Sequence, residues 1–299
     1  MKQFITAIIL LISIPIFSQS KVSFTFDDGA LGDRPNYTFN EWNGMLLKKL
    51  KDANIETMLF VAGKDKTGPK GKKLLESWND QGHKIANHTL NHSNYNSENY
   101  SFEAFKADFI KNDSLINSYS NYCKFFRFPY LKEGNTQEKV DSVRKFLKEQ
   151  NYRNGYVTID ASDWYIDSRL VKRLRENPNA DISGFRDFYL NHIWERAQFY
   201  EKLSMEINGR HIKHTLLLHH NLAAALFIDD LIKMFKEKGW EIVSASEAYE
   251  DPIYKEIPKY AGESLIYAQA KEAGKYENIL RYPAEDSRYE KDIMDKLGL

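Results

Sequence analysis

Between Val22 and Val243 the chain alternates short β-rich runs with stretches of helical periodicity, and that alternation restricts it to a parallel sheet wrapped by helices. Val22 to Phe26 alternates as a strand and stops at Asp27-Asp28-Gly29, and Phe39, Trp42, Leu46, Leu47 and Leu50 repeat at helical spacing. Glu56 to Val61 gives the next strand and completes a βαβ start. Pro69 opens a helix that Gly82 ends, before a short strand at 84–86. Further strands are expected at 124–127, 156–159, 215–218 and 241–243, with helices near 101–118, 136–150 and 222–238.

The expected fold is therefore α/β, with one domain over 21–250. Two segments exceed a minimal barrel. Residues 165–213 carry charged helical stretches broken at Pro178 and Gly184, which suit a substrate-facing lid and a passive exterior helix pair equally. Residues 251–299 suit a helical C-terminal extension packed on the outside. Forty-two Lys and Arg balance 42 Asp and Glu, so no global field recruits polyanions, and nucleic acid is not an expected partner.

Lys2 precedes an apolar run from Phe4 to Phe17, followed by small residues at Ser18 to Ser20, the pattern of a secretory signal peptide over 1–20. The run is shorter than the roughly 20 residues a membrane span needs, and Pro15 interrupts it. A secreted or periplasmic protein with no span after signal removal is the expectation. The single cysteine, Cys123, permits no disulfide framework and is expected to be a core thiol.

The chemistry-bearing residues sit at or just past expected strand ends, where α/β folds place their sites. His88 and His92, four apart, put two imidazoles on one face if the segment turns helically. A carboxylate is the usual third partner of such a pair, and Asp28 can supply it. Thr89 follows the first histidine, so the protease-type arrangement with a neighbouring glutamate base is excluded. Asp27 is then the nearest candidate base, held by Arg127 through a charge-assisted hydrogen bond. Asp163 beside Trp164 offers an acid against an apolar wall, and His219 or His220 offers a proton donor. Strand alternation lets only one of those two histidines face the site. His83, His192, His211 and His214 have no evident partner and are expected to be structural or exposed.

Over about residues 22–250 these motifs resemble the polysaccharide deacetylases with the NodB homology domain, carbohydrate esterase family 4. Thr25 to Gly29 is similar to the first family motif, which implies Asp27 as base and Asp28 as metal ligand. His88 to His92 resembles the second and implies both histidines as ligands. Arg127 to Tyr130 resembles the third, with Arg127 holding the base and the Tyr130 backbone N–H helping to bind the oxyanion. Asp160 to Trp164 resembles the fourth, with Asp163 tuning the acid and Trp164 walling the acetyl pocket. Leu216 to His219 resembles the fifth, with His219 as acid and Leu217 in the same pocket. Leu131 stands where a glycine often follows the third motif, Phe125 where an arginine is frequent, and His220-Asn221 follow the acid position.

The resemblance implies a distorted (β/α) barrel with fewer than eight complete units and a divalent metal ion, with zinc expected. The expected activity is hydrolysis of a carbon–nitrogen bond other than a peptide bond, removing an N-acetyl group from an acetylated polysaccharide or oligosaccharide. A small-molecule amide or imide hydrolase, an O-acetyl xylan esterase and a non-catalytic sugar-binding module are the alternatives.

Overall fold

The computed structural model of the 299-residue chain describes residues 19–280 and 286–299, so the expected signal sequence falls almost wholly outside the described residues. The elements in chain order are β1 (Lys21–Asp28), α1 (Phe39–Asp52), β2 (Met58–Val61), α2 (Pro69–Asp80), β3 (Lys84–Asn87) and α3 (Phe102–Ile116). Then come β4 (Tyr122–Phe126), α4 (Gln137–Glu149), β5 (Arg153–Asn154), α5 (Asp163–Glu176), α6 (Ser183–Asn208) and β6 (Lys213–His219). The chain ends with α7 (Leu222–Glu237), β7 (Glu241–Ile242), α8 (Ala245–Ala248), α9 (Leu265–Ala273) and α10 (Arg288–Leu297).

All the strand pairs are parallel, in the order β5-β4-β3-β2-β1-β6, and β7 pairs with the start of β1. Residues 153–159 bring the two edges of this curled sheet together. They pair with β4 at Arg153 and Asn154 and touch β6 through the single bridge Ile159–Leu216. The result is the expected NodB-type incomplete barrel. The full strand expected over 156–159 does not form, because this segment leaves one edge and reaches the other within a few residues.

Alternation along β1 and β6 sorts the layers. Val22, Phe24 and Phe26 point to the helices, with Phe24 against Phe235 of α7 at 5.6 Å and Phe26 against Trp78 of α2 at 5.5 Å between ring centroids. Thr25, Asp27, Thr215, Leu217 and His219 take the barrel side. Helix starts follow local chemistry. The Thr38 hydroxyl accepts from the Glu41 N–H while the Glu41 carboxylate accepts from the Thr38 N–H, a capping box that fixes where α1 begins.

The 165–213 segment is built into the wall and does not lie over the rim. Ile166, Leu170, Phe185, Tyr189, Ile193 and Tyr200 are buried in the main core, and both α5 and α6 pack on α7. Gly184 does not break a helix, since it lies in the first turn of α6. The extension is also part of the core: Leu265, Ile266 and Ala270 of α9 are buried there. Cys123 is half-buried, and its thiol reaches the Ile85 carbonyl at 3.6 Å. No helix among the described residues is long and apolar enough to cross a membrane.

Candidate active site

The C-terminal ends of β1, β3, β4 and β6 and the start of α5 converge on one pocket of about 380 Å³. Its polar wall is Asp27, Asp28, His88, His92, Asp160 and His219, and its apolar wall is Leu131, Ala161, Trp164 and Leu217, with Tyr130 at the lip.

β1 ends in an unusual conformation: Asp28 has φ 76° and Gly29 φ 75°. A β-carbon on Gly29 would lie 2.7 Å from Leu74 Cδ2, so only glycine lets the chain turn this sharply behind the carboxylates. His88 and His92 do not lie on a helical turn as the spacing predicts. Thr89 and His92 take left-handed backbone (φ 62° and 53°), and the Thr89 hydroxyl accepts from the His92 N–H at 3.1 Å. The loop still brings the two rings to 4.9 Å. Such strain costs of the order of 1–3 kcal/mol per residue and persists only where the surroundings enforce it.

Asp28, His88 and His92 each offer a ligand atom, all within 4.8 Å of one another. His92 Nε2 lies 3.3 Å from Asp28 Oδ1, and His88 Nε2 lies 3.8 Å from the same oxygen. His88 Nδ1 meets the Arg127 carbonyl at 2.7 Å, so the proton belongs on Nδ1 and Nε2 keeps its lone pair. Buried Asp28 Oδ1 and His88 Nε2 have no hydrogen-bond partner. Burial pushes His92 down to about 4, so it is neutral at physiological pH, as a ligand must be. Burial alone would raise Asp28, but the field of the charged His219 above all outweighs it and holds the carboxyl below its usual range. Orphaned donor atoms, a neutral His92 imidazole and an ionised carboxylate fit a divalent cation of zinc type.

Asp27 is buried beside this set, 3.6 Å from His88 Nε2 through Oδ2, and Arg127 holds its other oxygen at 2.5 Å. The guanidinium is fully buried and donates four hydrogen bonds in all. It donates to Thr25 Oγ1 at 2.9 Å, Tyr249 Oη at 3.0 Å and the Gly155 carbonyl at 2.9 Å, and it covers the Phe60 ring at 3.9 Å. Across the pocket, Asp163 at the first turn of α5 accepts from His219 Nδ1 at 2.6 Å, the His219 N–H at 2.8 Å and Asn221 Nδ2 at 3.0 Å. Burial opposes the charged imidazolium, but the ion pair with Asp163 and the fields of Asp28 and Asp27 prevail and raise His219 to about 10.

His220 points the other way. Its Nε2 meets Asn43 Oδ1 at 2.9 Å, and its ring packs 4.4 Å from Trp42 and 5.5 Å from Trp78. Burial pushes its pKa down to about 3. His220→Ala is expected to cost about 2–4 kcal/mol of stability through the cavity it opens. Activity per folded molecule should fall far less than in a His219 variant. A His220→Ala protein that folds with the wild-type melting temperature yet loses activity contradicts this placement.

Sequence reasoning missed three supports. Thr25 and Tyr249 anchor the guanidinium, and Tyr249 carries no local signal because it lies 122 residues from Arg127 in the chain. Asn221 was findable: it caps α7 by accepting from the Ala224 N–H at 2.8 Å, and a capping residue before an apolar helical run is legible. The remaining histidines are structural. His214 and His211 share Glu201, His192 accepts from the Ser162 N–H at 3.0 Å, and His83 accepts from the Thr57 N–H.

An incomplete parallel (β/α) barrel with a polar pocket at its strand ends defines the class. Residues 16–154 match the sequence model of the family described as polysaccharide deacetylase. The polysaccharide deacetylase Bc1974 from Bacillus cereus is 18% identical with a TM-score of 0.55, over 76% of this chain and 92% of that one. The Bc1960 peptidoglycan N-acetylglucosamine deacetylase is 20% identical with a TM-score of 0.52, over 78% and 89%. BA3943 from Bacillus anthracis, a CE4 family pseudoenzyme, is 18% identical with a TM-score of 0.51, over 78% and 66%. No curated protein matches the sequence. At these identities the likeness is one of fold, and a pseudoenzyme among the neighbours leaves activity to be argued from the side chains.

Proposed function

We propose that this chain is a secreted, metal-dependent deacetylase that hydrolyses an N-acetyl group on an acetylated polysaccharide or oligosaccharide. The observation that carries the reading is the pairing of opposites in one pocket: a carboxylate held by a buried guanidinium on one side and an imidazolium held by a buried carboxylate on the other. A binding module needs neither.

Asp28, His88 and His92 hold the cation, which, when bound, polarises the acetyl carbonyl and acidifies water. Asp27 takes the proton of the attacking water, and Arg127 keeps that carboxylate oriented beforehand. The Tyr130 backbone N–H faces the oxygen that gains negative charge. His219, protonated at neutral pH, gives its proton to the nitrogen as the carbon–nitrogen bond breaks, so acetate and a free amine leave. Trp164, Leu131 and Leu217 supply an apolar wall suited to the acetyl methyl.

Acetate release from chitin oligomers, peptidoglycan and acetylated xylan, with and without chelator, tests the reading. Release from an N-acetylated substrate, abolished by chelator and restored by zinc, is expected. Release from xylan alone moves the activity to an O-acetyl esterase, and no release from any of them overturns it. Metal analysis of purified protein should find about one equivalent per chain, lost in His92→Ala, since two remaining donors bind a catalytic cation poorly. Undiminished metal in that variant removes His92 from the ligand set.

A further inference from the structure

We propose that Gly262 and Glu263 are positioning residues, a strap from the C-terminal extension that holds the pocket's apolar wall in place; this rests on the deacetylase reading of the same site. The matched family region ends at residue 154, so the strap lies beyond it. Its target is the turn at Pro129–Leu131, where consecutive non-glycine residues, Tyr130 and Leu131, take left-handed backbone (φ 57° and 55°). L-residues disfavour that region because the β-carbon crowds the following carbonyl.

Within the domain the turn is closed by the Leu131 N–H to the Phe128 carbonyl at 2.9 Å and the Lys132 N–H to the Pro129 carbonyl at 3.1 Å. The outward carbonyl of Leu131 is taken by the Glu263 N–H at 3.0 Å. Lys132 and Glu263 form an ion pair alongside, and the Gly262 N–H reaches Glu133 Oε2 at 3.4 Å. Next to the strap, the Leu265 N–H donates to the Val157 carbonyl at 2.7 Å. Leu131, Val157 and Leu217 form an apolar cluster of their own, and Leu131 and Leu217 line the pocket. The extension thus bonds two members of that cluster, one of them in the pocket wall, through backbone alone.

The approach requires glycine at 262. Its φ is +88°, and a β-carbon there would lie 3.0 Å from the Leu131 oxygen. A larger residue pushes the strap off the carbonyl, and the Tyr130–Leu131 turn relaxes toward right-handed backbone. The Tyr130 amide and the Leu131 side chain then leave their places at the pocket.

Gly262→Ala in the full chain tests this by amide hydrogen exchange and by acetate release. Exchange at Leu131 and Lys132 should quicken about tenfold relative to α1, as local opening of the turn becomes easier. With metal content unchanged, kcat should fall about tenfold or more, as small displacements of positioning groups do. The loss should fall on kcat far more than on KM, a split that a merely structural role does not give. If Gly262→Ala fails to fold, Gly262→Asn carries the same test, because asparagine tolerates positive φ while its β-carbon meets the same oxygen. Unchanged exchange at Leu131 and Lys132 overturns the strap. Quickened exchange with unchanged kcat overturns its positioning role. A wild-type protein that releases no acetate overturns the deacetylase reading instead, and the exchange result then judges the strap alone.

Discussion

Asp27→Asn should lower kcat by about 10²–10⁴-fold while the protein still binds its metal, because an amide keeps the shape of the carboxylate but cannot accept the water's proton. The prediction is sharp because the surroundings of Asp27 do not depend on its proton chemistry. Arg127 Nη1 meets Oδ1 at 2.5 Å, and the amide oxygen of asparagine can still accept that hydrogen bond. What is lost is the charge. A buried guanidinium facing a neutral partner should destabilise the fold, by less than the ~3–5 kcal/mol that follows outright removal of one partner of a buried ion pair. Arg127 keeps its bonds to Thr25, Tyr249 and Gly155, so the variant should fold. Turnover, metal content and melting temperature measured together separate these effects. Near wild-type turnover in a metal-loaded Asp27→Asn protein removes Asp27 as base.

His219→Ala should lower kcat by a similar ~10²–10⁴-fold and flatten the alkaline limb of the pH–rate profile. Asp163 and the neighbouring carboxylates raise His219 from the ordinary value near 6.5 to about 10, so the acid form persists through neutral pH and is lost as pH rises through that value. A cation beside Asp28 offsets part of that field, which places the limb of the loaded protein between 6.5 and about 10. The same shift links to folding. The His219–Asp163 pair contributes its full stability below pH 6.5 and loses it as pH approaches about 10. An alkaline limb that survives in His219→Ala assigns the proton donor elsewhere, and Asp160, buried on the same wall, is then the next group to replace.

Much of this was legible before any coordinates. The alternation of β-rich and helical-period segments required a parallel α/β sheet, because only that architecture buries both kinds of face in that order. Asp27, Asp28, His88 and His92 stood out because their residue types are rare in that combination at strand ends. The two-residue period of a strand meant that one of His219 and His220 must turn away, and motif resemblance named His219 as the one in the site.

Tertiary structure decided what local rules cannot reach. Residues 88–92 form a strained loop, and its left-handed residues are held by side-chain and sheet contacts that periodicity does not encode. Residues 156–159 show strand propensity but bridge two sheet edges, since pairing depends on what lies alongside. The charged helices over 165–213 looked equally like a lid and a wall. Their buried residues meet α7 and the core, and only the position of those partners makes them a wall. Tyr249 reaching Arg127 and Glu263 reaching Leu131 join residues more than a hundred positions apart. Contacts of that range leave no local pattern in a single sequence, because the energy that selects them exists only once the chain has closed on itself.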